Sequence, residues 1–145
     1  MKVPQQIEPM KGSGRFQWNG GAWFGTMMGS TAWMLGASGF LLINRQAMLA
    51  LVPSFAFSLS MMFAAVLWGR RDSVSPYKAT MIMMGLFAVL VPTVFFTILF
   101  AANDEVLEKM NWNATPFNIA FIFGLCPTLM AYFWFLERRA LADNA

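Results

Sequence analysis

The polar side chains that interrupt the long apolar runs of this sequence are mostly hydroxyls, and they are its candidates for contact with a ligand or solute. Six such groups fall in the outer half of a membrane in the orientation given below: Ser38, Ser54, Ser58, Thr93, Thr97 and Asn118. They either line a polar cavity or form hydrogen bonds between helices, each worth about 0.6 kcal/mol. We expect hydrogen bonds, with the cavity as the alternative. Trp33 is predicted to be buried against another helix, with a stacked lipid or pigment as the alternative.

Catalytic and metal-binding groups are scarce. The chain has no histidine, and its one cysteine, Cys126, excludes an intramolecular disulfide or a thiolate cluster. The acidic residues Asp72, Asp104, Glu105 and Glu108 lie between the apolar runs and match no nucleophile or metal-ligand motif. The 13 methionines are scattered among apolar neighbours, which indicates flexible packing rather than a copper site. We therefore predict no catalytic residue, no metal site and no cofactor, in a protein that is not an enzyme.

Long runs without charge dominate the chain, which is 58% hydrophobic and only 12% charged. Each run exceeds the roughly 20 residues that a helix needs to cross about 30 Å of hydrocarbon. The sequence predicts an all-α, polytopic membrane protein with four transmembrane helices, at about residues 21–43, 47–68, 79–102 and 115–136. Residues 1–20 are expected to form an irregular cytoplasmic arm, and residues 137–145 a cytoplasmic tail. Thr115 and Pro116 are typical of a helix start, and the loop before them is expected to hold a short helical turn.

Basic residues set the predicted orientation. Of the 10 Lys and Arg residues, only Arg45 and Lys109 fall on one side of a four-span chain, and the others fall on the opposite side. The positive-inside rule then places the N and C termini and the middle loop in the cytoplasm. The connection between the first two spans is too short to do more than reverse direction, so we predict two antiparallel hairpins. The plasma membrane or inner membrane is the expected location, and the dispersed charge argues against nucleic acid as a partner.

Small residues recur along one face of the first span: Gly25, Gly29, Ala32, Gly36 and Gly39. Their steps of 4, 3, 4 and 3 residues place them on one side of a helix, where another helix backbone can approach closely. A shorter row occupies the fourth span: Gly124, Thr128 and Ala131. We expect both rows to lie at helix contacts. If the first row is not used inside the bundle, it becomes a contact with another subunit.

These features predict a non-enzymatic integral membrane protein that self-associates or serves as an accessory or structural subunit of a membrane complex. Its expected partners are the lipid bilayer and either further copies of itself, as a homo-oligomer, or other membrane subunits. No charged residue lies within the four spans, which argues against a proton relay or pump. The alternative is an oligomeric channel or transporter for a small solute, lined by Ser and Thr in the outer half of the bilayer.

Overall fold

The computed structural model of the chain describes residues 16–143, and no strand occurs among them. The helices are α1 (Gly20–Ile43), α2 (Ala47–Gly69), α3 (Pro76–Ala101), α4 (Asp104–Lys109) and α5 (Pro116–Asp143). All but α4 are long and apolar enough to cross a membrane. The all-α architecture with four candidate spans is thereby confirmed, and it is that of a multi-pass membrane protein. Most of the predicted irregular arm, residues 1–15, lies outside the described residues, and α5 continues past the predicted span end at residue 136.

Two of the long helices begin with the same local arrangement. The side-chain oxygen of Ser75 accepts a hydrogen bond from the backbone N–H of Lys78 at 3.3 Å, and Thr115 accepts one from Asn118 at the same distance. A proline follows each of these hydroxyl residues. Its fixed backbone angle suits the first helical position, where the missing N–H costs nothing. The predicted start at Thr115 is confirmed, whereas α3 begins before the predicted residue 79.

The ends of α1 and α4 share a different arrangement, the Schellman motif. After α1, the N–H of Gln46 donates to the carbonyl of Leu41 at 2.9 Å, and the N–H of Arg45 donates to Leu42 at 3.0 Å. Arg45 has a φ of 59°, and Asn111 takes the equivalent place after α4 with a φ of 51°. This left-handed conformation lets the chain turn back while it satisfies the last carbonyls of the helix. The short helical turn expected before Thr115 is confirmed as α4.

The long helices pack in the order α1 on α2, α2 on α3 and α3 on α5. Two clusters of buried side chains hold them together. One lies towards the start of α1 and contains Trp23, Met27, Ala64, Ala79, Met83 and Cys126. The other lies towards the end of α1 and contains Met34, Leu41, Ala50, Ile98 and, from α4, Val106. The short helix α4 therefore covers the core at one end of the bundle.

Small residues of α2 form its buried face against this core: Ala50, Pro53, Ala56, Ser60 and Ala64. They leave room for the larger side chains of α1, such as Met34 and Leu41, which are fully buried. The indole N–H of Trp23 donates to the carbonyl of Ala64 at 3.0 Å, which fixes α1 to α2 through a bond shielded from solvent. The close-packed face inside the protomer is thus on α2, whereas the sequence predicted such faces on the first and fourth spans.

Aromatic contacts tie both ends of the bundle. At one end, the ring of Phe16 lies 5.8 Å from Tyr77 and 5.4 Å from Phe133, measured between centroids. These contacts bring the beginnings of α1 and α3 to the same end as the later part of α5. At the opposite end, Trp112 stacks on Phe95 with centroids 5.2 Å apart and donates its indole N–H to the Phe95 carbonyl at 3.2 Å. The α4–α5 connection is therefore anchored on α3.

Candidate functional site

The row of small residues on α1, called here the glycine face, consists of Gly25, Gly29, Ala32, Gly36 and Gly39. A Cβ atom added to any of its four glycines meets no heavy atom within 4 Å. The buried residues of α1 explain this openness: Trp23, Met27, Thr31, Met34, Ala37, Ser38 and Leu41. At 3.6 residues per turn, the glycine face points roughly 180° away from them. No other helix in the described part of the chain lies within reach of these glycines.

The row on α5 is open as well. A Cβ added to Gly124 meets nothing within 4 Å, and Thr128 and Ala131 are exposed. Only 6% of the most apolar window of α5 is buried, compared with 33%, 28% and 33% for α1, α2 and α3. The expectation that the two rows lie at helix contacts is therefore not met within one chain. For the row on α1, the second form of the expectation stays a prediction, namely a contact with another subunit.

The six polar groups proposed for an outer cavity form separate hydrogen bonds in the protomer, apart from one pair. Ser38 and Ser54 are brought together, with their Oγ atoms 2.6 Å apart, and the Ser38 hydroxyl donates to the carbonyl of Ala50 at 3.0 Å. This pair joins α1 to α2 in the way expected of a hydrogen bond between helices.

The other four groups bond within or beside their own helix. Ser58 donates to the carbonyl of Ser54 at 2.9 Å. Thr93 donates to Val89 and Thr97 donates to Thr93, both at 2.7 Å. Asn118 donates to the side chain of Asn113 at 2.8 Å, at the edge of a recess of about 220 Å³ beside Trp112. Hydroxyls bonded to their own backbone in this way need no partner on another helix.

Ionisable groups offer little chemistry in the described part of the chain. No group of three or more His, Cys, Asp or Glu side chains there is placed to hold a metal ion. Lys109 forms an ion pair with Glu105, with Nζ and Oε1 separated by 2.6 Å. The hydrogen bond from Lys109, together with its charge, lowers the pKa of Glu105. Both side chains are exposed on α4, so the pair is a solvated helix contact.

An apolar cleft of about 770 Å³ lies between α1, α3 and α5. It exists because α1 and α5 do not form a packed interface, while α3 closes its floor. Its walls include Trp23, Ser30 and Trp33 of α1, Met83 and Phe87 of α3, and Cys126 of α5. Trp33 is only partly buried, and its ring lies 6.3 Å from that of Trp112. The space between α1 and α5 had no signal in the sequence, because it depends on which helices pack together.

No protein family model, curated protein or solved structure is significantly similar to this chain.

Proposed function

We propose that the protein is a non-enzymatic membrane component that self-associates through the glycine face of α1. The observation that carries this proposal is the open row of Gly25, Gly29 and Gly36, directed away from the packed face of the helix. Lipid tails contact any apolar side chain equally well, so a lipid-exposed position gains nothing from glycine. A neighbouring helix gains a close backbone approach, and membrane helices associate chiefly through such packing.

The exposed side of α5 supports an assembly with more than one contact. Among the described helices, this helix packs mainly on α3, and its small residues Gly124, Thr128 and Ala131 face away from that contact. A protomer with two outward small-residue faces suits either a closed homo-oligomer or a place beside other membrane subunits. Self-association is the simpler form, because it needs no second protein.

The arrangement in the membrane is part of the proposal. The long helices form two antiparallel hairpins, α1 with α2 and α3 with α5, and both termini lie in the cytoplasm of a plasma or inner membrane. Eight Lys and Arg residues then lie on the inner side, against Arg45 and Lys109 outside. A reporter fused to either terminus, whose activity depends on its side of the membrane, tests the orientation. Reporters active only on the outer side would reverse it.

The association test measures energy transfer between donor-labelled and acceptor-labelled copies of the full chain in lipid vesicles. The double variant Gly29→Leu, Gly36→Leu places bulky side chains in the middle of the glycine face. We expect it to weaken association at least about ten-fold, which corresponds to about 1.4 kcal/mol. The matched control is Ala65→Leu, a small-to-large change at an exposed position of α2.

Equal association of the wild type, the double variant and the control would overturn the proposed interface. A wild type that is monomeric at all protein-to-lipid ratios would overturn self-association itself. In that case, a different membrane protein that copurifies with the wild type and is lost from the double variant would assign the glycine face to that subunit.

The solute-channel alternative lacks comparable support within one chain. Thr93 and Thr97 bond to the backbone of their own helix, and Ser38 is occupied by Ser54 and Ala50. A channel of this kind needs its hydroxyls in one continuous lumen between subunits.

A further inference from the structure

The apolar cleft between α1, α3 and α5 is separate from both proposed association faces, because no residue of either row lines it. Among residues 16–143, its lining contains no charged residue. The hydroxyl of Ser30 bonds to the carbonyl of Met27 at 3.1 Å, and that of Thr80 bonds to Pro76 at 2.9 Å. These two hydroxyls are already satisfied by their own helices, and the third hydroxyl of the lining, that of Thr26, is exposed. Burial of a polar or charged ligand group deeper in the cleft would therefore be costly. The chemistry of the walls therefore selects an apolar occupant.

The shape of the cleft indicates an elongated molecule. Along α3 the lining extends from Pro76 to Val91, which at 1.5 Å per residue is about 22 Å. One leaflet contributes about 15 Å of hydrocarbon to a bilayer, so the cleft is long enough to hold a lipid chain through the full depth of one leaflet. Its volume of about 770 Å³ also falls within the range of known ligand sites.

The side of the cleft between α1 and α5 is open, because these two helices do not form a packed interface. In a membrane, this opening faces the hydrocarbon, so an acyl chain enters the cleft from the side without any movement of the helices. Lipid is always present at the opening, whereas a helix in the cleft would have to come from a second protein chain.

We propose that the cleft binds one acyl chain of a membrane phospholipid, drawn from the leaflet at the end of the bundle where α1 and α3 begin. Gln17 and Asn19 line that end of the cleft and are exposed, so they lie where the polar headgroup would emerge. The acyl chain of the lipid then runs between Trp23 and Met83 towards Trp33. The lipid completes the packing that α1 and α5 lack.

The first test counts bound lipid by native mass spectrometry of the full-length protein, purified in mild detergent and incubated with phosphatidylcholine. The wild type is expected to retain about one phospholipid per chain after excess lipid is removed. Thr80→Phe and Ser30→Phe each place a ring in the cleft from a different helix, and each is expected to lose the retained lipid. The control Ile82→Phe adds a ring to α3 at a position that does not line the cleft, and it should retain the lipid.

Circular dichroism and elution as a single species show which variants fold. If Thr80→Phe fails to fold, Ser30→Phe still decides the outcome, because Ser30 is exposed and a larger side chain there displaces no core residue. Retention of lipid by a folded cleft variant at the wild-type level would overturn the proposal. So would the absence of retained lipid from the wild type.

The second test uses Cys126, which is the one cysteine of the chain, lines the cleft and is only 8% exposed. The rate of its reaction with an apolar maleimide is measured on delipidated protein with and without phosphatidylcholine. At a lipid concentration about ten times the dissociation constant, about one chain in eleven has a free cleft, so the rate should fall about ten-fold. An unchanged rate would contradict binding in the cleft, because lipid on the outer surface leaves this thiol as it was.

Lipid binding and self-association are separable. The double variant Gly29→Leu, Gly36→Leu is expected to weaken association and leave lipid retention unchanged. Ser30→Phe is expected to abolish lipid retention and leave association unchanged. If Ser30→Phe abolishes dimers while the wild type retains no lipid, the occupant of the cleft is a second copy of the chain, and the lipid proposal is wrong.

Discussion

The hydrogen-bonded pair of Ser38 and Ser54 provides a quantitative test of how α1 is held to α2. Ser38 is 4% exposed, and its Oγ lies 2.6 Å from Ser54 Oγ and 3.0 Å from the Ala50 carbonyl oxygen. A serine hydroxyl has one hydrogen. Because Ser38 donates to the Ala50 carbonyl, Ser54 must be the donor in the other bond. Ser38 thus takes part in two hydrogen bonds between the helices, and Ser54 in one.

The magnitudes follow from this count. Hydrogen bonds between membrane helices are worth about 0.6 kcal/mol each on average. Ser38→Ala should therefore lower the free energy of unfolding by about 1.2 kcal/mol, and Ser54→Ala by about 0.6 kcal/mol. The double variant should lose about 1.2 kcal/mol, since the bond between the two hydroxyls is lost only once. The coupling energy in a double-mutant cycle is then about 0.6 kcal/mol.

The assay is equilibrium unfolding of the full chain in mild detergent with increasing sodium dodecyl sulfate, followed by tryptophan fluorescence and circular dichroism. Ser58→Ala is the matched control, because Ser58 donates to a carbonyl of its own helix and is exposed. It should leave unfolding unchanged. A Ser38→Ala effect no larger than that of the control, or a coupling energy of zero, would refute the assignment of this pair as a tie between helices.

Three further changes are predicted to have distinct effects in the same unfolding assay. Arg45→Gly should stabilise the protein by up to about 1 kcal/mol, because a φ of 59° strains every residue with a Cβ, and Arg45→Val should destabilise it. Gly20→Ala should destabilise the protein, since the new Cβ would lie 3.1 Å from Trp68 Cη2. Gly29→Ala should not, because no heavy atom lies within 4 Å of its new Cβ. Equal effects of the two changes would contradict the packing described. Glu105→Gln should leave stability unchanged. The ion pair with Lys109 lowers the pKa of Glu105, so any stabilisation from it is present at neutral pH and lost on acidification through that pKa. Because the pair is exposed and screened by water, this stabilisation should be too small to measure. A stability that falls with acidification in the wild type but not in this variant would refute that reasoning.

Local signals in the sequence predicted several features of the fold. Thr115 followed by a proline marked the start of α5, and the capping bond confirms it. The same pattern at Ser75 marks the start of α3, but the polar loop around it led to a later predicted start. Such caps depend on one side chain and a few backbone N–H groups, so they can be read without knowledge of the rest of the chain.

The contacts between helices were harder to predict from the sequence. Glycine spacing pointed to α1, yet the close contact inside the protomer uses Ala50, Ser60 and Ala64 of α2. Alanines at this spacing are a weaker sequence signal than glycines, although they serve the same purpose. The sequence predicted that these hydroxyls form hydrogen bonds between helices, but it did not predict that Ser38 pairs with Ser54. Each hydroxyl had several candidate partners at a similar depth in the membrane.

The number of spans was determined by the sequence alone, because a charge within hydrocarbon is so costly that long uncharged runs separated by charged loops permit little else. Which face of each span turns inward was decided only by the tertiary structure. In water, an apolar stripe identifies the buried face of a helix. In lipid, both faces are apolar, and packing of individual side chains makes the choice. That choice buried Met34 and Leu41, left Gly29 and Gly36 open, and kept α1 apart from α5 to form the cleft.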